Sequence, residues 1–455
     1  MRPRGELAIV LHTHMPYVEG YGTWPFGEEW LWEAAIHSYL PLLDLLEKGA
    51  PLTLSLTPVL CDQLLADGIA DRFLAFIEEV RSHTFAADQR ELEGGAAAEL
   101  ERAWQADYLA AAAAVRQRQA SLGQRLLAHA TLTSAATHAV LPLLATRPAL
   151  RAQVRVGVEG FRERAARWGG GFWLPECAHA PWLEPVLAEE GVRFFLVEWT
   201  ERFGRGAREQ LSPRRRGQLV AVPIEREAID LVWGADGYPG EACYRSTHRR
   251  SGHGHCPWAN DGSVYDPQRA RARARDHARD FARAVVAKAG EGPLLALAFD
   301  TELFGLWWYE GIWFLEGLCE ALAELPVQVV ALEEAAALAE PPPDEGEPPP
   351  TSWGKGGDLR TWSSATAEVA ALAGEARRLE LAAVGAGLDD PAVRHLLAAQ
   401  ASDWTYMVAN DLAADYGRRR FAEHRQAVEE ALAGSSPQPP RNLAPFARAA
   451  VLREP

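Results

Sequence analysis

Seven short runs rich in Val, Ile, Leu and Phe punctuate the chain, at 7–11, 52–56, 131–134, 172–174, 193–197, 294–299 and 327–331. They read as buried strands, and helical patterns separate them. Strands alternating with helices imply a parallel α/β sheet. Seven such runs over about 330 residues point to an open or incomplete barrel rather than a doubly wound sheet. No G-x-G-x-x-G follows any of them, which argues against a dinucleotide fold. Residues 219–232 (LVAVPIEREAIDLV) look like an extra hairpin within one long connection.

The segment 62–130 is rich in Ala, Leu, Glu and Arg and reads as helices inserted between the second and third strands. PPPDEGEPPP at 341–350 reads as a stiff, polar linker. Beyond it come a Gly-Trp loop, SWGKGGDLRTW, and helical patterns from about residue 365 onward. The expected division is a barrel over 1–340, carrying the insertion at about 62–130, and a helical domain over 351–455. A chain of 455 residues suits one large domain with a satellite.

The net charge of -16 argues against nucleic acid or an anionic membrane as the main partner, because both call for basic patches. No segment approaches the roughly 20 apolar residues of a membrane span. The apolar run before His12 is shorter than a secretory signal requires. Five scattered cysteines without a C-x-x-C pair fit a reducing compartment and no zinc knuckle, so the cytoplasm is expected. The 16 tryptophans lean toward a neutral polymer as ligand, since an indole face stacks well on the apolar face of a sugar ring.

Active sites of α/β barrels form where strands end and loops begin. The first run ends in His12-Thr-His14, with both imidazoles on one side of an extended segment. The third ends near Thr137-His138, the fourth in GFWLPE with Glu176 beside Trp173, and the sixth in LLALAFDTE with Asp300 and then Glu302. A single acid after a strand is more often the cap of the next helix. Two acids at separate strand ends, each near Trp, favour chemistry. Glycoside cleavage needs one ionised carboxyl to attack the anomeric carbon and one protonated carboxyl to assist the leaving oxygen.

At these residues the sequence resembles glycoside hydrolase family 57, most closely its 1,4-α-glucan branching enzymes. LHTHMPYV, YGTWPFGEEWLWEA, ATH at 136–138, GFWLPECA, FDTELFGLWWYEG and ASDWTYMV resemble its motifs in order, and VWGADGYPGE and SWGKGGDLRTW resemble branching-enzyme stretches that carry tryptophans to the cleft. The resemblance implies an incomplete (β/α)7 barrel with an inserted helical region and a C-terminal helical domain closing the cleft. It implies Glu176 as nucleophile and Asp300 as acid/base. It maps cleft histidines to His12, His14 and His138, and sugar-stacking or gating tryptophans to Trp24, Trp233, Trp353 and Trp362. Asp403 and Trp404 fall on the fifth motif and are expected, with the others, to line the cleft and bind substrate. The implied substrate is an α-1,4-glucan such as amylose or a glycogen precursor, with no metal and no organic cofactor.

The sequence departs from the family pattern in four places. Leu306 and Leu359 stand where His is usual, Ala139-Val140 follows His138 where Gly-Tyr is usual, and the stretch after Trp199 is short and lacks a tyrosine. Two lost histidines remove hydrogen bonds to sugar hydroxyls, each worth about 1 kcal/mol. A shorter lid admits water, whose exclusion favours transfer over hydrolysis. Three alternatives therefore stay open beside a branching enzyme. They are an amylase-like hydrolase, a weakly active glycan-binding relative, and a metal hydrolase built on the zinc-like His12-x-His14 pair. His253 and His255 read as part of a solvated loop, and the run 214–216 as a solvated arginine loop.

Overall fold

The computed structural model describes residues 5–23, 26–92, 95–117, 121–338 and 341–453. The expected apolar runs form strands whose side chains are almost wholly buried. β1 (Glu6–Thr13) lies between β2 (Thr53–Leu56) and the outer strand β8 (Leu294–Asp300), both parallel to it. From β2 the sheet continues through β3 (Ala130–Ser134), β4 (Gly171–Trp173), β5 (Phe194–Val197) and β7 (Leu219–Pro223), each parallel to its neighbour. A short β6 (Arg214–Arg216) pairs antiparallel with β7 at the rim. Seven strands thus run parallel, in the order β7-β5-β4-β3-β2-β1-β8. Beyond β7, Glu225 donates its backbone N–H to the Ala296 carbonyl of β8 at 3.0 Å, which draws the two outer strands together without a full ladder. This is an incomplete (β/α)7 barrel. Each fully buried Leu, Val or Phe of the strands contributes about 1.5–3 kcal/mol of apolar transfer free energy.

Two strand expectations need correction. The run 327–331 yields only a two-residue strand, β9 (Gln328–Val329), against the start of β1. The segment 219–232 is not a self-contained hairpin. Its first half is the barrel strand β7, and its second half is the helix Arg226–Trp233. Glu225 ends the strand and caps that helix, its carboxylate accepting from the N–H groups of Glu227 and Ala228.

The insertion is mostly helical over its described residues, with the long helix Ala96–Gln117 as its spine. His255 is buried, not solvated: its ring lies 2.6 Å from the Glu101 carboxylate and packs on Trp104, tying a barrel loop to the insertion. The arginine run is likewise no solvated loop. Arg216 is buried and reaches Glu184 at 2.8 Å and the Asp344 carbonyl at 2.7 Å. Arg215 exchanges backbone hydrogen bonds with Pro342 and Asp344. The proline-rich segment is therefore a strap pinned along the sheet rim.

The C-terminal helices Ala367–Ala383, Asp390–Ala399, Ser402–Ala409 and Ala414–Leu432 lie over the barrel's third strand and its following helix. Leu379, Leu396, Leu397 and Val428 share a buried cluster with Val59, Ala136, Ala152 and Val156. Gln153 donates to the Leu397 carbonyl at 3.2 Å, and Ser402 N–H donates to the His138 carbonyl at 3.1 Å. These contacts set the first turn of the Ser402 helix directly on the barrel mouth.

Candidate active site

The parallel register places His12 opposite Ser55 on one side and Asp300 on the other. His12 and His138 are both buried, and burial, with nearby histidines, pulls both imidazoles well below their ordinary range. Both rings are therefore neutral, each with one N–H and one lone pair. Their contacts fix the tautomers. Ser402 donates its hydroxyl to Glu176 Oε1 at 2.8 Å, so its oxygen accepts from His138 Nδ1–H at 2.9 Å. His138 Nε2 then accepts from His12 Nε2–H at 3.0 Å, and His12 Nδ1 accepts from the Ser55 hydroxyl at 3.2 Å. A one-way relay runs Ser55, His12, His138, Ser402, Glu176. Every link points its hydrogen toward the carboxylate, which stabilises the ionised form.

Glu176 follows β4 in a tight turn. Its φ is 61°, and Cys177 and His138 also have positive φ, at 48° and 60°. A non-glycine residue in this region costs on the order of 1–3 kcal/mol and clusters at functional sites. The turn is held by Cys177 N–H to the Leu174 carbonyl and Trp353 N–H to the Glu176 carbonyl, at 2.8 and 3.0 Å. The carboxylate is clamped at both oxygens, because Trp353 Nε1–H donates to Oε2 at 2.9 Å. Burial raises the Glu176 pKa, and the Trp353 and Ser402 hydrogen bonds work against that rise.

Asp300 ends β8 and is partly exposed at the mouth. Its carboxyl is pushed well above the usual range by burial, then by the charges of Glu302 and Glu176. No hydrogen bond from a described residue favours its ionised form. The two acids therefore sit in unlike settings: one clamped as a carboxylate, the other biased to keep its proton. The neighbouring Gly305, with φ of 100°, lets the following turn close on the His37 carbonyl, where a Cβ would sit at 1.8 Å.

His14 lies just past the end of β1, on the same side as His12, and its ring stacks on that of His138 at 3.9 Å. Burial lowers its pKa, but Asp403, Glu302 and Glu176 outweigh burial and raise it. Its Nε2 lies 3.1 Å from Asp403 Oδ1 and its Nδ1 3.2 Å from the Thr57 hydroxyl. Glu302 accepts from the Tyr39 hydroxyl at 2.6 Å and from the His14 N–H at 3.1 Å, and burial raises its pKa to about 7.

The aromatic residues divide into two groups. Trp353 is partly exposed beside Glu176 and meets Trp173 edge-on at 5.0 Å. Trp233 and Trp307 are about half exposed and face each other at 5.8 Å, on the helix end after β7 and the turn after β8. Trp362 and Trp404, expected in the cleft, are buried instead. Trp362 fills the space under Gly354, and the Trp404 Nε1–H donates to the Ala398 carbonyl at 2.8 Å, so both are packed into the C-terminal helices rather than standing free in the cleft. His12 and His138 are likewise corrected from cleft contacts to the buried relay. Trp24 lies outside the described residues.

His14, His138 and Asp403 bring ligand-type atoms within 4.8 Å of one another, as a metal hydrolase would require. Both nitrogens of His138 are taken by His12 and Ser402, and the His14 and His138 rings stack face to face at 3.9 Å. Stacked rings aim their lone pairs side by side rather than at one point, a poor fit to a tetrahedral ion. Sequence reasoning missed Ser55, Ser402, Tyr39 and Thr57. Small hydroxyl residues carry no periodic signal, and only the docking of distant elements gives them partners.

Comparison with known proteins places these features in context. The family model for glycosyl hydrolase family 57 matches residues 129–345, and the model for the 1,4-alpha-glucan branching enzyme C-terminal region matches 363–436. A probable 1,4-alpha-glucan branching enzyme of Mycobacterium tuberculosis is 32% identical over 508 residues, covering 97% of this chain and 94% of the relative. The crystal structure of a GH57-type branching enzyme from Pyrococcus horikoshii superposes with a TM-score of 0.88 at 27% identity, over 99% of this chain and 97% of that one. An α-amylase from Thermotoga maritima, AmyC, shares the fold at a TM-score of 0.81 and 21% identity, over 100% of both chains.

Proposed function

The chain belongs to glycosyl hydrolase family 57, and from that premise we propose that it is a 1,4-α-glucan branching enzyme working by double displacement. Glu176 attacks the anomeric carbon of an α-1,4-linked glucosyl unit as the C1–O4 bond breaks. Asp300 gives its proton to the departing O4, leaving a glucosyl ester on Glu176. The same Asp300, now ionised, takes the proton of an acceptor 6-hydroxyl. That oxygen forms the new bond to C1, and Glu176 departs as a carboxylate. Amylose and glycogen precursors are the fitting substrates.

One observation carries this reading: the unequal treatment of two carboxyls at one barrel mouth. Glu176 accepts hydrogen bonds at both oxygens, from Ser402 at 2.8 Å and Trp353 at 2.9 Å, whereas Asp300 is raised by burial and by the charges of Glu302 and Glu176. A nucleophile needs the first setting and a general acid the second. Trp353 and the Trp233–Trp307 pair offer indole faces for the glucan, and His14 and Asp403 offer polar contacts.

A second reading, an α-1,4-glucan hydrolase with little branching, is favoured by the stretch after β5. It folds down as the helix Thr200–Phe203 and a turn at Arg208–Leu211, and Arg202 ties it to Asp344 of the strap at 2.5 and 2.8 Å. No tyrosine in it can cover the cleft against water. Amylose separates the readings. Falling iodine absorbance with few new reducing ends, and short chains released by a debranching enzyme, support branching. Reducing ends that grow in step with the absorbance loss support hydrolysis.

The same reading takes 1–340 as the catalytic barrel, with its insertion at 62–130, and 351–455 as the domain that completes the cleft. It assigns the enzyme to the cytoplasm, in keeping with five free cysteines. No helix among the described residues is long and apolar enough to cross a membrane.

A further inference from the structure

Two residues of the helix Ser402–Ala409 already serve the site: Ser402 holds Glu176 and Asp403 meets His14. Residues three and four apart lie on one helical face, so Tyr406 shares the face of both. Helical side chains lean toward the helix N-terminus, the end at which Ser402 holds Glu176. The opposite face, with Trp404 and Val408, is buried, whereas Tyr406 is 42% exposed. Among the described residues, the Tyr406 hydroxyl has no hydrogen-bond partner. Burial and then the charges of both Glu176 and Asp300 raise the pKa of that hydroxyl, so the phenol lies within the field of the two acids and stays protonated.

A half-exposed aromatic ring with an uncommitted O–H, carried by a helix whose first turn holds the Glu176 carboxylate and meets His14, is equipped to stack on a sugar ring and bind one of its hydroxyls. We propose that Tyr406 receives the acceptor glucan at the point of transfer and thereby sets the partition between glucosyl transfer and hydrolysis. The proposal rests on the double-displacement reading above. It supplies from the C-terminal helices the cover over the reaction centre that the short stretch after β5 does not. The Tyr406 hydroxyl takes no part in the hydrogen bonds of the relay to Glu176, so its role is separable from the clamp on the nucleophile.

The test compares the full-length enzyme with Tyr406→Phe and Tyr406→Ala on amylose, counting new α-1,6 linkages and new reducing ends in the same reaction. Tyr406→Phe keeps the ring and loses the hydroxyl, and should lower the ratio of transfer to hydrolysis about fivefold. Tyr406→Ala should lower it further and raise KM for a short maltooligosaccharide acceptor about tenfold. Thermal unfolding should be unchanged in both, because the side chain is not part of the core. A transfer ratio and acceptor KM within twofold of the parent in both variants overturns the proposal. If the parent itself makes only reducing ends, the branching reading has failed. The role of Tyr406 is then judged on hydrolysis, where a raised KM for amylose in Tyr406→Ala sustains sugar contact and an unchanged KM overturns it.

Discussion

The Ser402 hydroxyl donates to Glu176 Oε1 at 2.8 Å, across 226 positions of sequence. It joins the C-terminal helices to the barrel at the one atom group whose ionisation the chemistry requires. Ser402 also takes the hydrogen of His138 Nδ1, so the carboxylate is the terminus of four aligned hydrogen bonds that begin at Ser55. Cutting the last link with Ser402→Ala should slow turnover on the order of tenfold and move the acidic limb of the pH–rate profile upward, because the ionised form of Glu176 loses a donor. Ser55→Ala, at the far end, should move the same limb in the same direction by less. A pH series of kcat/KM on amylose reads both shifts, and identical profiles would remove the relay from the account.

The pH profile of the parent should be a bell. Glu176 has to be ionised to attack, so the rate rises as it loses its proton. Asp300 has to be protonated to donate, so the rate falls as it loses its own. Burial raises both above their ordinary values, and the Glu302 and Glu176 charges raise Asp300 further. Glu302→Gln removes one of those charges and should shift the basic limb to lower pH. A basic limb that stays in place would show that Glu302 does not act on the acid.

Asp300→Ala should cut turnover of amylose on the order of a thousandfold, since the leaving O4 then departs without a proton. With an aryl maltoside whose phenolate leaves unaided, the first step should be nearly normal and only the second slow. A burst of phenol followed by a slow steady rate is the expected trace. Equal losses on both substrates would deny Asp300 the role of acid.

Trp233 and Trp307 are about half exposed, so Trp233→Ala and Trp307→Ala should leave thermal unfolding within about a degree or two of the parent. Each removes a stacking face worth about 1 kcal/mol, which is about a fivefold rise in KM for long glucans with kcat largely kept. A fall in kcat at constant KM would instead assign the pair to the reaction centre.

Much of this architecture is readable in one dimension. Strands buried on both faces must be short apolar runs, and the acids and histidines after them mark the mouth of a barrel. The errors share a cause. β7 reads as half of a hairpin because its second partner, β5, lies 26 residues back in register (Phe194 opposite Val220) and leaves no local trace, while three arginines mask the strand beside it. Indoles that pack the interior and indoles that face a ligand are spelled alike, so the sequence does not separate Trp362 and Trp404 from the tryptophans of the cleft. His12 and His138 were found at the right strand ends, but their role depends on Ser55 and Ser402, whose hydroxyls gain partners only when the C-terminal helices dock.

The most direct test of the central claim is peptide mass mapping after reaction with 5-fluoro-α-glucosyl fluoride, whose ring fluorine slows release of the glycosyl-enzyme. A fluoroglucosyl adduct on the peptide carrying Glu176, absent in Glu176→Gln, is the result expected of a nucleophile clamped by Ser402 and Trp353. An adduct on any other carboxylate, or normal branching and hydrolysis by Glu176→Gln, would contradict it.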